Sequence, residues 1–143
     1  MAIDEGATRF MREVMPFTAV LGIEVLANTA EEVRARVAWD ESRCTSGGLL
    51  HGGLLMSLAD SCGGACAFAN LPEGAAGTST IESKTNFFRG CRPGRLVGEA
   101  VPLHVGRRMI VVQTSIFGPD GKRAAIVTQT QLVLPRKPAN PPG

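Results

Sequence analysis

The chain has 143 residues, 44% hydrophobic and 20% charged, with a formal net charge of +2. This is the balance of one ordinary globular domain, long enough to bury roughly 68–70% of its unfolded surface. A charge so slight does not by itself suggest nucleic acid, and no nucleic-acid partner is expected.

Asp4, Glu5 and Glu13 break an N-terminal stretch that lacks an apolar signal core, and no run approaches the ~18 apolar residues of a membrane span. A cytoplasmic protein without a membrane partner is expected. From Asp4 to Met15 the pattern predicts a short amphipathic helix ended by Pro16. Gly22 to Ala27 reads as a strand, Asn28 to Glu31 as a turn, and Val33 to Trp39 alternates as a half-buried strand does, so a hairpin joins the two. Asp40 to Leu50 is a polar, glycine-bearing loop.

From Leu54 to Ala69 the chain is almost wholly apolar or small, which predicts one long helix inside the protein. Leu71 to Gly77 is then a loop, followed by strands over Thr78–Phe88, Arg95–His104, Arg108–Phe117 and Arg123–Leu134. Their connections are Gly90–Gly94, Val105–Arg107 and the turn Gly118-Pro-Asp-Gly121, and Pro102 marks a bulge or an edge position. Four strands in a meander after the helix, with no alternation of strand and helix, favour an antiparallel sheet. The expectation is an α+β architecture, one antiparallel sheet wrapped around one central helix.

The four cysteines, Cys44, Cys62, Cys66 and Cys91, fit no zinc spacing, and no metal site is expected. Cys62 and Cys66, four apart on the predicted helix, read as small core residues, consistent with a reducing compartment. Asp60 is the one charge in the helix, and no Lys or Arg within that helix can pair with it. A carboxylate buried there is costly unless it is paired or used.

Two segments, Leu50-His-Gly-Gly-Leu-Leu-Met-Ser-Leu-Ala-Asp60 and Thr80-Ile-Glu-Ser-Lys-Thr-Asn-Phe-Phe-Arg89, resemble the hotdog-fold acyl-CoA thioesterases of the phenylacetate-degradation (PaaI-like) type. The likeness extends through Gly94 and His104-Val-Gly-Arg-Arg108 to the last strand. It divides the chain into an N-terminal helical segment (1–16), a hotdog thioesterase domain (17–134) and a Pro-rich tail (135–143). The resemblance implies hydrolysis of acyl-CoA thioesters with no metal or redox cofactor, by a homodimer as the minimal active unit and a homotetramer as the expected assembly.

Gly52 and Gly53 open the central helix, where backbone N–H groups lack internal partners and the helix dipole is positive. They can polarise a thioester carbonyl, and the resemblance gives the oxyanion role to the Gly52 backbone. A glycine pair kept only for packing is the alternative. Asp60 shares a helix stripe with Gly53, Ser57 and Gly64, a seam for a partner helix or the floor of a cleft. Its carboxylate would activate water as general base or attack the carbonyl itself; a structural Asp satisfied by backbone donors is the other reading. Gly52 and Asp60 are eight residues apart, about 12 Å along one helix, so one carbonyl cannot touch both within a protomer. The resemblance likewise implies that Gly52 of one subunit faces Asp60 of the other.

Thr80 corresponds to a Ser or Thr that in related enzymes positions the water or the carboxylate, with Ser79 as the fallback if the register shifts by one. Both also suit ordinary strand positions. Where many relatives carry an Asn six residues before the His, this chain has Thr45, a poorer holder of water. His51 is a candidate catalytic residue, and the resemblance implies instead the structural task of fixing the loop that presents Gly52. Arg89, Arg107 and Arg108 suit the 3′-phosphate and diphosphate of CoA, or are solvated strand ends. Phe68, Phe87 and Phe88 are candidates for an acyl or aryl pocket or for core. Other readings are a hotdog enoyl-CoA hydratase or dehydratase, and a non-catalytic acyl-CoA-binding module.

Overall fold

The computed structural model describes residues 1–139. Helix α1 (Glu5–Val14) begins at an Asp4 cap whose carboxylate accepts from the Ala7 amide at 2.8 Å. Its buried face carries Thr8 and Met11. The Thr8 hydroxyl accepts from the Val25 amide and Asp4 N–H donates to the Val25 carbonyl, so α1 is tied to the first strand. Pro16 ends α1 as expected but also starts a second short helix, α2 (Pro16–Val20), which the sequence reading did not contain. Proline is tolerated there because the first helical N–H has no partner to lose.

Six strands follow in one sheet: β1 (Glu24–Asn28), β2 (Val33–Ala38), β3 (Ala75–Phe87), β4 (Arg95–Val105), β5 (Met109–Phe117) and β6 (Arg123–Pro135). Every pairing is antiparallel, and the order is β1-β2-β4-β5-β6-β3. The expected four-strand meander is therefore corrected. Only β4, β5 and β6 run as one; β3 lies on the far edge, against β6. Length explains the choice. β3 and β6 both have thirteen residues and pair from Ala75↔Pro135 to Phe87↔Ala125. β4 instead extends the first hairpin through β2. Residues 88–94 cross the sheet end over β6 and β5, about 14 Å at ordinary strand spacing. Pro102 sits at a register shift beyond the last β2 partner, Ala100, so it occupies both the bulge and the edge position expected of it.

The sheet wraps around α3 (Gly52–Ala69), which touches all six strands. Leu58, Leu96, Ile110 and Ile116 are wholly buried between helix and sheet, each stabilising by roughly 1.5–3 kcal/mol. α3 is 18 residues long with mean hydropathy 1.2, enough by length and composition to cross a membrane, contrary to the expectation that no run approaches that length. Here its buried half faces the concave side of the sheet. It is not enclosed all round. Met56, Asp60 and Phe68 are exposed along one stripe, so the expected burial of Asp60 does not hold within one protomer. Glycine, serine and alanine on that stripe carry no charge and require no packed neighbour, so composition alone could not separate the two cases. The Pro-rich tail starts late, because Pro135 still pairs with Ala75; residues 140–143 lie outside the described residues.

Candidate active site

Asp60 reaches the open face of α3 halfway along the helix, opposite the inward side of β3 and β6. Its Oδ1 accepts from the Thr80 hydroxyl at 3.0 Å and from Gln129 Nε2 at 3.1 Å. Gln131 Nε2 donates to Thr80 Oγ1 at 2.6 Å. Because that oxygen already accepts from Gln131, its own hydrogen is directed at Asp60. Two donors thus hold Oδ1, and no hydrogen bond among the described residues reaches Oδ2. Asp60 and Thr80 border a cleft of about 560 Å³ with mostly apolar walls.

The two glutamines went unread in the sequence. Gln129 and Gln131 are 0% and 1% exposed, in line on β6 with the inward-facing Val127 and Val133. The signal was available: strand alternation turns residues 127, 129, 131 and 133 to one face, and two amides on a core face ask for partners. Gly63 makes room for one of them, since a Cβ there would collide with the Gln129 amide. Ser79 lies on the other side of β3 from Thr78 and Thr80, which line the cleft, so it does not join Asp60. Ser57 of the expected stripe spends its hydroxyl on the Gly53 carbonyl at 2.8 Å.

The N-terminus of α3 forms a second group. His51 is the cap residue, and its Nδ1 accepts from the Gly53 amide at 2.8 Å. Its own N–H donates to the Arg43 carbonyl, which anchors the loop. The Gly53 amide is thereby occupied, whereas the Gly52 N–H has no partner among the described residues. The Phe87 ring lies over Gly52, and a Cβ there would stand 3.1 Å from it. Thr45 is exposed in the loop closed by the Cys44–Leu50 bridge, at this end of the helix and away from the Asp60 cleft.

The arginines divide between the ends of the sheet. Arg89 packs beside Ala124 and pairs with Asp120 at 2.8 Å. Asp120 is held below the usual carboxylate range first by the Lys122 amide, with Arg89 adding to it. Arg107 and Arg108 border a cavity at the opposite end, where the Arg108 carbonyl accepts from Val133. Ala124 and Val133 are nine residues apart on β6, about 30 Å. One protomer therefore cannot close all three arginines on one phosphate group. Phe68 lines the cleft, while Phe87 covers Gly52 and Phe88 is exposed outside it. No group of three or more His, Cys, Asp or Glu among the described residues is placed to hold a metal ion.

The sequence model of the thioesterase superfamily matches residues 47–125, a span holding His51, Gly52, Asp60 and Thr80. A 1,4-dihydroxy-2-naphthoyl-CoA hydrolase of Escherichia coli is 36% identical over 87 residues, covering 61% of this chain and 63% of the relative. The solved structure of a Haemophilus influenzae thioesterase is similar with a TM-score of 0.82 and 25% identity over 90% of each chain. The PaaI protein of the E. coli phenylacetic acid degradation operon shares the fold, with a TM-score of 0.79 and 20% identity over 88% of this chain and 89% of that one.

Proposed function

Because the chain belongs to the thioesterase superfamily and is thus a hotdog-fold thioester hydrolase, we propose that it cleaves aryl- or fatty-acyl-CoA to free acid and CoA at sites shared between two protomers. The observation that carries this reading is Asp60, with Oδ1 held by Thr80 and Gln129 and Oδ2 open beside an apolar cleft. The Gly52 N–H holds the carbonyl oxygen as negative charge develops on it. Asp60 Oδ2 takes a proton from water as the water oxygen bonds to the carbonyl carbon. The carbonyl re-forms, the C–S bond breaks, and the sulfur leaves to be protonated as the CoA thiol. In the nucleophilic variant Oδ2 bonds to the carbon, CoA leaves first, and water opens the mixed anhydride. Both routes consume one water and release the same products.

Two features support a shared site. Gly52 and Asp60 are about 12 Å apart along α3, and β3 is a thirteen-residue edge strand with Ile81 exposed. Such an edge is a template for another strand. A twofold axis crossing β3 between Thr80 and Phe87 brings Asp60 of one protomer to the Phe87 end of the other, where Gly52 lies. The same rotation carries Arg89 toward the partner subunit's Arg107 and Arg108, so the three could grip the phosphates of one CoA. Pairing of two dimers would cover exposed apolar residues on the outer sheet face, Val101, Met109 and Leu132 among them, and this supports a homotetramer. Four free thiols suit a reducing, cytoplasmic compartment.

Thiol release from a panel of CoA esters tests the proposal. Asp60→Asn is expected to lower kcat by about 10²–10⁴ with CoA binding kept. Wild-type protein that binds acyl-CoA but releases no thiol overturns it.

A further inference from the structure

The cleft beside Asp60 runs along α3 from that carboxylate past Gly64 to Phe68, two helical turns or about 12 Å. α1 forms its other wall with Phe10 and Val14, and Gly77 of β3 lies on its floor. Phe10 and Phe68 are each about half exposed, so their rings are not spent on the core. The two glycines are also unexplained by the fold. A Cβ on Gly64 or on Gly77 would meet nothing within 4 Å, and neither residue has a positive φ. Glycine inside a helix is destabilising relative to alanine, so Gly64 costs stability without a packing reason in this chain. Gly63, one residue earlier, shows the contrast, for its missing Cβ is occupied by the Gln129 amide.

The geometry points to this cleft as the acyl pocket, with α1 as the element that sets which acyl group fits. The inference rests on the thioesterase reading above, since the occupant is the acyl arm of a thioester whose carbonyl lies at Asp60. The space left open at Gly64 and Gly77 and the two apolar rings at the rim suit a compact apolar acyl group, a single aryl ring or a chain of medium length. A long fatty chain would extend past Phe68 into solvent. Phe10 and Val14 are therefore specificity-determining residues on a helix outside the matched segment of the thioesterase family.

The test pairs a narrowing with a widening variant. Gly64→Ala adds a methyl to the cleft and favours the helix, so it folds with an unchanged or higher Tm. Phe10→Ala removes one wall. With benzoyl-, octanoyl-, palmitoyl- and acetyl-CoA, Gly64→Ala is expected to lower the ratio of kcat/KM for benzoyl or octanoyl over acetyl by about tenfold or more. Phe10→Ala is expected to shift preference toward palmitoyl. The benzoyl and octanoyl arms distinguish an aryl from an alkyl occupant. Unchanged ratios in both variants overturn the inference. So does dissociation of the oligomer by Gly64→Ala, because the glycine then served a protomer contact. If the wild type hydrolyses none of these esters, affinities for octyl- and hexadecyl-CoA thioethers report the pocket alone. A chain-length dependence altered by Phe10→Ala upholds the pocket while the hydrolase reading fails; no alteration removes both.

Discussion

Gln129 reaches Asp60 across the packed interior, and the residue that admits it is Gly63, whose missing side chain leaves space for the amide. A hydrogen bond to a charged group contributes about 1.5–3 kcal/mol. Gln129→Leu should therefore lower kcat roughly 10–100-fold with little change in KM, as Oδ1 loses one of its two donors and the carboxylate turns more freely. Gly63→Ala should reach a similar loss by displacing the same amide. If both act through that one contact, the double variant is no slower than the worse single variant; losses that multiply would show the two residues to be independent. At this scale the sequence was partly legible. Asp60, Thr80, His51 and Gly52 stood out by residue type and by resemblance, and the Thr80 hydroxyl donates to Asp60. Ser79 and Thr45 lie apart from Asp60, because strand alternation turns one away and the other belongs to the loop at the N-terminus of α3. The exposure of Asp60 was hidden, since small apolar neighbours look the same whether they face a core, a cleft or a second protomer.

Helix α3 presents its apolar side to the sheet through Leu58, Cys62 and Cys66, all wholly buried. Burial pushes the Cys62 thiol from 9.0 to about 12, and Cys66 adjoining it to about 11. Below pH 9 both states keep these protons, and the thiols' contribution to stability is fully present. Between pH 9 and about 12 the unfolded chain has released the Cys62 proton and the folded chain has not, so stability falls as pH rises. The slope from that thiol is up to about 1.4 kcal/mol per pH unit. Urea unfolding from pH 8 to pH 10.5 should show this decline, and Cys62→Ala should flatten it; equal slopes in the two proteins would count against the assignment. Hydrophobic period made this helix and the strands readable to within a few residues. Topology was harder. Which strand neighbours β3 depends on matching lengths across β6 and on a connection that crosses the sheet end, and neither leaves a local mark. α2 escaped for a related reason: Pro16 signals an end more strongly than a beginning.

A whole molecule with divided sites makes a prediction that no single chain can mimic. Gly52 is the first residue of α3, a position where proline is tolerated because the N–H has no helical partner. His51 before it has φ −62° and ψ 135°, the extended conformation that a following proline requires. Gly52→Pro therefore removes the proposed oxyanion donor and leaves the helix intact, with only the half-exposed Phe87 ring having to move. Homodimers of this variant and of Asp60→Asn should each be nearly inactive. In a mixed dimer with shared sites, one site combines Gly52 of the Asp60→Asn chain with Asp60 of the Gly52→Pro chain, and both are intact; the other site carries both defects. Random reassortment makes half the dimers mixed, each with one working site of two, so about a quarter of wild-type activity should return. If each site lay within one protomer, every chain would carry a defective site and mixing would restore nothing. Recovery after subunit exchange, measured as thiol release against the unmixed homodimers, decides between the two arrangements. It also accounts for the open stripe of α3, since a carboxylate exposed on a single chain would then be enclosed by the second.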